Sequence, residues 1–282
     1  MITFRKMNEE DIAAGLSLCR ASGWNQLSRD WKLFLDNDPG GARVATSDDS
    51  GILGTVTTIR YADHFSWIGM VLVDPAARRQ GIGSGLLQQA LGILSNENTV
   101  KLDATPAGRE VYLKLGFMNE YALTRMHLGI VDTDSLPAST AIPLQRDDFE
   151  AVLKLDREVF GADRAFILDW LFEGLPELAF ITKKNDRLTG YCFGRRGHNF
   201  TQIGPVIAND IADAVQLATA AIRNAGTGAV IIDILRHSPE WTRAIENFGF
   251  VELRPLIRMY RGSNEWPGIP GKQFAIAGPE FG

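Results

Sequence analysis

The sequence predicts an α/β (α+β) fold that occurs twice along the chain. The chain has 282 residues, which is long for one domain of roughly 150 residues and comfortable for two. Strand-like and helix-like hydrophobic periods alternate in both halves. Two segments also repeat: the strand at 66–75 is echoed at 201–210, and the glycine-terminated helix at 111–117 is echoed at 244–250. We therefore expect two copies of one fold, divided near the polar stretch 132–139.

Each element of the first half follows from a local pattern. Asn8 is a predicted N-cap, because acidic residues fill the turn that follows it. Apolar residues at helical spacing predict helices at 9–21, 28–37, 83–94 and 108–115. Alternating or continuous apolar runs predict strands at 2–7, 42–46, 52–61, 66–73, 99–103 and 120–130, with 52–61 and 66–73 joined as a hairpin.

The second half repeats this order of elements. Predicted strands lie at 140–144, 179–183, 188–195, 200–207, 229–235 and 252–261, and predicted helices at 147–160, 164–172, 211–224 and 239–248. The tail is rich in glycine and proline and has no period, so we expect an extension that is ordered by contact. The predicted division is 1–132 for the first domain, 139–263 for the second and 264–282 for the extension.

Composition excludes several classes of function. With 29 basic and 34 acidic residues, the net charge of -5 makes nucleic acid a poor bulk partner. Two cysteines, Cys19 and Cys192, cannot form a disulfide framework or a four-cysteine zinc site, and no metal-ligand spacing is present. No apolar run approaches the roughly 18 residues of a membrane span, and the N-terminus lacks an apolar signal core. We expect a cytoplasmic protein with no metal and no membrane or nucleic-acid partner.

The stretch from Val73 to Leu87 carries the clearest chemical signal. An apolar strand ends at Val73, two arginines follow, and glycines then open a helix. Glycines let a ligand approach the backbone closely, the first N–H groups of a helix lack internal partners, and the helix dipole favours an anion. Arg78 and Arg79 can add charge-assisted hydrogen bonds to phosphate oxygens. The stretch therefore predicts a phosphate or pyrophosphate ligand.

Other phosphate-binding loops match this stretch less well. A Walker loop needs a lysine before Ser or Thr, and none is present. A Rossmann loop needs a third glycine where Leu86 stands, and its turn would follow Val73 directly. An acidic residue does follow about 20 positions on, at Asp103. A dinucleotide-binding oxidoreductase thus remains an alternative.

At this point the sequence resembles the GNAT acetyltransferase superfamily. The loop of that family has the form Arg/Gln-x-x-Gly-x-Gly/Ala after a strand ending Val-x-Pro, and residues 73–75 and 78–83 match it. A Tyr-x-x-x-Gly-Phe element follows at 112–117. With its degenerate second copy, the chain looks like bacterial tandem-GNAT proteins. The resemblance implies two domains, each a mixed, mostly antiparallel sheet flanked by helices. It also implies an acetyl-CoA-dependent N-acetyltransferase that transfers directly to the primary amine of a small molecule or peptide in a ternary complex.

The resemblance also assigns the site residues. The acetyl-CoA contacts would be Met70, Val71, Leu72, Val73, Arg78, Arg79, Gln80, Gly81, Ile82, Gly83, Ser84 and Thr105. Tyr112 would protonate the departing coenzyme A thiolate, and a phenol with a pKa near ~10 suits that role. The family often has asparagine where this chain has Thr105.

The acceptor side has no motif. An amine must lose a proton, and the candidates that could receive it are Asp63, His64, Asp103 and Glu120. Two further substrate contacts are considered. Trp24 is an aromatic of the core, the rim or the acceptor cleft, and Arg195 either sits in a basic turn or recognises an acidic substrate group.

The second half lacks the corresponding groups. It has no glycine pair and no arginine at the loop, Asp213 would repel phosphate, and Ile245 stands at the tyrosine position. We therefore expect the second domain not to be a second catalytic centre, but to wall the substrate cleft or to supply a fixed intramolecular partner surface. A non-catalytic acyl-CoA sensor is the other alternative, but it would not need Tyr112.

Overall fold

The structure, a computed structural model, describes residues 1–48, 51–62, 64–130 and 136–282. The helices are α1 (Ile12–Ala21), α2 (Ser28–Asn37), α3 (Ile82–Ile93), α4 (Pro106–Lys114), α5 (Phe149–Phe160), α6 (Ala165–Gly174), α7 (Ile211–Asn224) and α8 (Pro239–Asn247). The strands are β1 (Ile2–Lys6), β2 (Arg43–Ser47), β3 (Gly51–Tyr61), β4 (Phe65–Val73), β5 (Thr99–Ala104), β6 (Met118–Leu128), β7 (Ile142–Pro143), β8 (Phe180–Lys184), β9 (Arg187–Arg196), β10 (Thr201–Ala208), β11 (Val230–Leu235), β12 (Val251–Gly262) and β13 (Gln273–Ala275).

The strands form one mixed sheet with the order β1-β2-β3-β4-β5-β12-β6-β11-β13-β10-β9-β8-β7. Within the described residues the pairings are antiparallel except β4 with β5 and β10 with β11. These two parallel pairs occupy equivalent places in the two halves. In each pair a helix that packs on the sheet connects the two strands, α3 in the first half and α7 in the second. The predicted fold class, a mixed and mostly antiparallel α/β arrangement flanked by helices in each half, is confirmed, although the strands of the two halves join in one sheet.

The two halves exchange a strand. Strand β12, from the second half of the sequence, pairs with β5 on one side and β6 on the other. Strand β6 in turn pairs with β11 of the second half. The sheet is therefore continuous from one half to the other, and residues of β12 lie directly beside β5. The predicted boundary at 132 lies outside the described residues.

The C-terminal segment is built into the interior. Strand β13 pairs with β10 and β11. Beyond it, the Tyr61 hydroxyl donates a hydrogen bond of 2.6 Å to the carbonyl of Phe281, whose ring stacks on Phe34 at 5.2 Å. The indole N–H of Trp67 donates to the carbonyl of Pro279 at 3.0 Å. A Cβ at Gly69 would lie only 2.9 Å from the Glu280 carbonyl oxygen. This close approach brings the segment against β4.

None of the described helices has the length and apolar character needed to cross a membrane. Within the described residues, no three His, Cys, Asp or Glu side chains form a group that could hold a metal ion.

Candidate functional site

The loop between β4 and α3 presents unpaired backbone N–H groups. Arg79 and Gly81 have left-handed φ angles of 65° and 80°, a conformation that glycine adopts without strain. Gly81 is the N-cap of α3, and no side chain caps that helix. Its first N–H groups are therefore free for an anion. Arg78 and Arg79 are exposed beside them.

We expect Gly83→Asp to weaken acetyl-CoA binding at least about tenfold, because it places a carboxylate where the loop is suited to phosphate. The change should not disturb folding, since a Cβ at Gly83 meets only the Val73 side chain, at 3.5 Å. Isothermal titration calorimetry measures the effect. Ala212→Asp, in the exposed first turn of α7, is the matched control. Equal affinity in wild type and Gly83→Asp would contradict the assigned phosphate site.

A groove of about 380 Å³ runs beside this loop, and we call it the donor groove. It is lined by Val71, Val73, Arg78, Arg79, Gly81, Ile82, Gly83, Ser84, Leu87, Thr105, Gly108, Val111 and Tyr112. Most of the predicted donor contacts are thus brought together. Leu72 is instead 3% exposed within the core, and Gln80 lines a separate depression with Ile2 and Ala76.

The donor groove reaches a gap between β4 and β5. These strands pair only at Ser66 with Val100 and at Trp67 with Lys101, and then diverge. Met70 lies in the divergent part with a φ of 52°, beside a register shift against β3. Its carbonyl accepts a 2.8 Å hydrogen bond from Thr55 Oγ1. Beyond Trp67, no described strand pairs with the β5-facing edge of β4, so an extended ligand could form main-chain hydrogen bonds there.

A second cavity, of about 80 Å³, continues from this gap, and we call it the acceptor pocket. It is lined by Trp24, Asn25, Gln26, Ile68, Gly69, Met70, Val71, Asp103, Thr105, Tyr112, Arg125, Arg254, Leu256, Pro279 and Glu280. The lining comes from both halves and from the C-terminal segment. Val71, Thr105 and Tyr112 line both cavities, so the donor groove and the acceptor pocket meet there.

Helix α4 holds Tyr112 at this junction. The helix starts at the Thr105 cap, whose hydroxyl accepts from the Gly108 N–H at 3.2 Å, and the chain turns away at Gly116 with a φ of 85°. The Thr105 hydroxyl thus caps α4, and Thr105 also lines both cavities. Tyr112 is 9% exposed, and burial raises the pKa of its hydroxyl to about 12. At neutral pH it keeps its proton and can donate it.

Two predicted acceptor-side residues line the acceptor pocket. Trp24 forms part of its wall, and Asp103 lies in the lining that β5 provides. Asp103 Oδ1 and Oδ2 accept hydrogen bonds from Arg258 of β12, at 2.9 and 2.8 Å. Burial raises the pKa of Asp103, and the charge and hydrogen bonds of Arg258 oppose this rise. The pairing leaves Asp103 as an anchored carboxylate.

Two of the other acceptor-side candidates, His64 and Glu120, lie elsewhere. The His64 ring contacts Trp266 at 4.1 Å between centroids. Glu120 accepts from Lys101 at 3.2 Å and from Asn264 at 3.0 Å. Neither His64 nor Glu120 lines the two cavities, and Asp63 lies outside the described residues.

Arg195 is held inside the protein. It is 3% exposed and forms ion pairs with Asp30 and Glu280. Its Nη2 also donates to Gln202 at 2.9 Å. The guanidinium is therefore occupied by carboxylates of the protein itself, and it lies outside the lining of the acceptor pocket. This position does not suit the predicted recognition of an acidic substrate group.

Sequence reasoning missed five polar residues of the acceptor pocket: Asn25, Gln26, Arg125, Arg254 and Glu280. No motif marks them. Glu280 lies in the aperiodic tail, and Arg254 lies on the exchanged strand β12. In the sequence they are polar residues in or beside predicted elements. Such residues are common at any protein surface, so their type does not mark them as functional.

The equivalent positions of the second half are filled by the chain itself. The Asp210 side chain caps α7 by accepting from the Asp213 N–H at 2.9 Å. Lys184 contacts Asp210 at 2.8 Å and Asp213 at 3.2 Å. Ile245, at the tyrosine position, is fully buried in the core. The helix terminus that would face a phosphate is thus already capped by a carboxylate.

Comparison with known proteins identifies both halves. Residues 39–119 and residues 152–275 each match a family model described as an acetyltransferase (GNAT) domain. The holothin acyltransferase of Pseudoalteromonas sp. (strain SANK 73390) is 28% identical over 264 residues, or 93% of this chain and 88% of that protein.

Solved structures share the fold. A crystal structure from Pyrococcus horikoshii superposes with a TM-score of 0.82 at 22% identity, covering 100% of this chain and 96% of that one. A tandem GNAT protein from the clavulanic acid biosynthesis pathway superposes with a TM-score of 0.67 at 14% identity, covering 92% and 98%. At these identities the structures show the fold alone.

The family fits the features of the site. GNAT domains bind acetyl-CoA, and the uncapped terminus of α3 and the open edge of β4 suit its phosphates and its extended arm. The chain therefore belongs to the GNAT acetyltransferases, as a tandem protein of two such domains, and is an acyltransferase whose co-substrate is acetyl-CoA.

Proposed function

We propose that the protein is an N-acetyltransferase that transfers the acetyl group of acetyl-CoA directly to a primary amine in a ternary complex. The observation that carries this proposal is the junction of the two cavities at Val71, Thr105 and Tyr112. A donor in one cavity and an amine in the other would meet beside a buried phenol. Holding both reactants in one geometry removes much of the entropic cost of a bimolecular reaction.

In the proposed reaction, the backbone of residues 79–84 and the two arginines bind the pyrophosphate, and the edge of β4 pairs with the pantetheine arm. The amine nitrogen forms a bond to the thioester carbonyl carbon, and the carbon–sulfur bond then breaks. Tyr112 gives its proton to the departing sulfur and regains one from solvent. The proton of the attacking nitrogen leaves to water or to a carboxylate of the acceptor pocket.

We also propose a division of labour along the chain. Residues 1–132 would carry catalysis, residues 139–263 would wall the acceptor pocket through Arg254 and Leu256, and residues 264–282 would complete it through Pro279 and Glu280. The lining of the acceptor pocket supports this division, because all three segments contribute to it.

Two observations disfavour the rival functions. A non-catalytic sensor has no need of a buried tyrosine where two cavities meet, yet Tyr112 lines both of them. For a dinucleotide oxidoreductase, Leu86 at the third glycine position is fully buried, and Asp103 is bound to Arg258 rather than free for a ribose.

A two-step experiment separates these functions. Thermal-shift measurements with acetyl-CoA, CoA, NAD and NADP come first, and we expect stabilisation by the first two because the loop suits their phosphates. Release of the CoA thiol is then followed with a panel of primary amines, and we expect amine-dependent release. Stabilisation by NAD alone would support the oxidoreductase, and binding of acetyl-CoA without release by any amine would support the sensor.

A further inference from the structure

The wall of the acceptor pocket includes a buried carboxylate, that of Glu280. Arg195 is shared between two carboxylates, those of Asp30 and Glu280, and all three groups are buried. Burial alone would raise the pKa of Glu280, but the charge of Arg195 and hydrogen bonds from Gln26 and Arg195 hold it below its usual value. Glu280 is therefore an anion at the wall of the pocket.

The Gln26 amide adds a hydrogen-bond acceptor without a partner beside Glu280. Its Nε2 donates to Glu280 Oε1 at 2.9 Å. This fixes the orientation of the amide, because an amide oxygen facing a carboxylate would place two acceptors together. Gln26 Oε1 is consequently a buried acceptor without a partner, in a side chain that is 6% exposed. An ammonium group would satisfy this oxygen and the charge of Glu280 together.

The lining also includes two arginines, one of which has no ion-pair partner among the described residues. Arg125 and Arg254 are register partners on β6 and β12, and both line the pocket. Arg125 donates to both oxygens of Asp233 at 2.7 Å. Among the described residues no carboxylate pairs with Arg254, and its Nε is buried without a hydrogen-bond acceptor. Burial and the nearby charge of Arg125 lower the pKa of Arg254, and the charges of Asp233 and Glu280 oppose this lowering only in part.

The volume of the pocket limits the size of a ligand that can bind both Glu280 and Arg254. A volume of about 80 Å³ corresponds to roughly six water molecules, which is the scale of a small amino acid. A simple alkylamine would leave the Arg254 Nε unsatisfied, and a diamine would bring a second positive charge towards it. The alkylamine would leave the charge of Arg254 uncompensated in a half-buried site, and the diamine would add a second uncompensated charge there.

We propose that the acceptor is a small amine that also carries a carboxylate, its ammonium held by Gln26 and Glu280 and its carboxylate by Arg254. This inference rests on the proposed function, since it identifies the substrate class of the same site. Arg254 is then a specificity-determining residue supplied by the second half. The degenerate domain would thereby select the acceptor for the reaction of the first.

Equilibrium binding tests the inference without turnover. The protein is saturated with CoA and titrated with matched pairs: glycine with glycinamide, alanine with alaninamide, and β-alanine with β-alaninamide. Calorimetry gives the affinities, and the change in intrinsic fluorescence, to which Trp24 in the pocket wall contributes as one of the 6 tryptophans, gives an independent readout. In the wild type we expect at least one carboxylate to bind about tenfold or more tightly than its amide, because a charge-assisted hydrogen bond is lost in the amide.

Variants locate the effect. Arg254→Gln should bring the ratio of carboxylate to amide affinity close to one, and Glu280→Gln should weaken both members of a pair. Arg236→Gln is the matched control, because Arg236 pairs with Glu252 at the surface, and it should leave the ratio unchanged. The inference is overturned if amides bind as well as carboxylates, if no carboxylate in the panel binds, or if Arg254→Gln preserves the ratio.

Failure of the proposed function has a different signature. In that case a carboxylate-bearing amine would still bind with the Arg254-dependent preference, but adding it to acetyl-CoA would release no thiol. Conversely, rapid thiol release with neutral amines and no preference for carboxylates would retain the acyltransferase and overturn only the inference.

Discussion

Tyr112→Phe is expected to lower kcat for acetyl transfer by about 10²-fold or more, the range that one general acid contributes. The variant removes only the hydroxyl of a residue that lines both the donor groove and the acceptor pocket. Without it the thiolate must depart unprotonated. The dissociation constant of acetyl-CoA should change by no more than about twofold, because the loop and β4 are untouched.

The control for this variant is Tyr260→Phe, a half-buried tyrosine of β12 outside the lining of both cavities. Stopped-flow or steady-state thiol release measures both variants. Because burial raises the pKa of Tyr112 to about 12, its ionisation should cause no loss of wild-type rate up to about pH 10. Equal kcat values for Tyr112→Phe and wild type would remove Tyr112 as the acid.

Arg195→Met is expected to lower the free energy of unfolding by about 3–5 kcal/mol, the usual cost of removing one partner from a buried ion pair. The side chains of Asp30, Arg195 and Glu280 are each no more than 3% exposed. The variant would leave two carboxylates in the interior without a cation. Denaturant unfolding measures the loss, and Arg157→Met, which breaks a surface pair with Asp163, should cost less than about 1 kcal/mol.

The pH dependence gives this prediction a second readout. In the wild type the pKa of Glu280 is below its usual value, so its ionised form stabilises the fold above the unfolded pKa of about 4.3. This contribution is lost as pH falls through the folded pKa. In Arg195→Met, unopposed burial raises the pKa of Glu280, and the charged form then destabilises the fold at neutral pH. The difference between wild type and variant should shrink as pH falls from 7 towards about 4; a constant difference would show another cause.

Local signals in the sequence predict the donor side well. The glycine at 81 was expected to open α3, and it has the left-handed φ that only glycine adopts without strain. Likewise, the spacing of Tyr112 from Gly116 predicts a short helix that ends in a left-handed residue, and the structure has one. Such features are set by the conformational preferences of a few consecutive residues, so they can be predicted from the sequence.

The acceptor side could not be predicted in the same way, because its contacts join distant residues. The hydrophobic period of β12 is the same whichever strands flank it, so the exchange that places Arg258 against Asp103 leaves no local mark. In the sequence Arg195 looks like the end of a strand that runs into a basic turn, whereas it lies within β9. Its partners come from α2 and from the tail, 165 and 85 residues away. Charge pairing across the halves therefore decides which polar groups remain free for a substrate.

The central claim is that two copies of one fold form a single acyl-donor site, in the first half. Calorimetric titration of the whole chain with acetyl-CoA tests it most directly. We expect one molecule bound per chain, because, of the two equivalent helices, α3 has no side-chain cap, whereas α7 is capped by Asp210. Binding of two molecules per chain, or of one that survives Gly83→Asp with unchanged affinity, would contradict it.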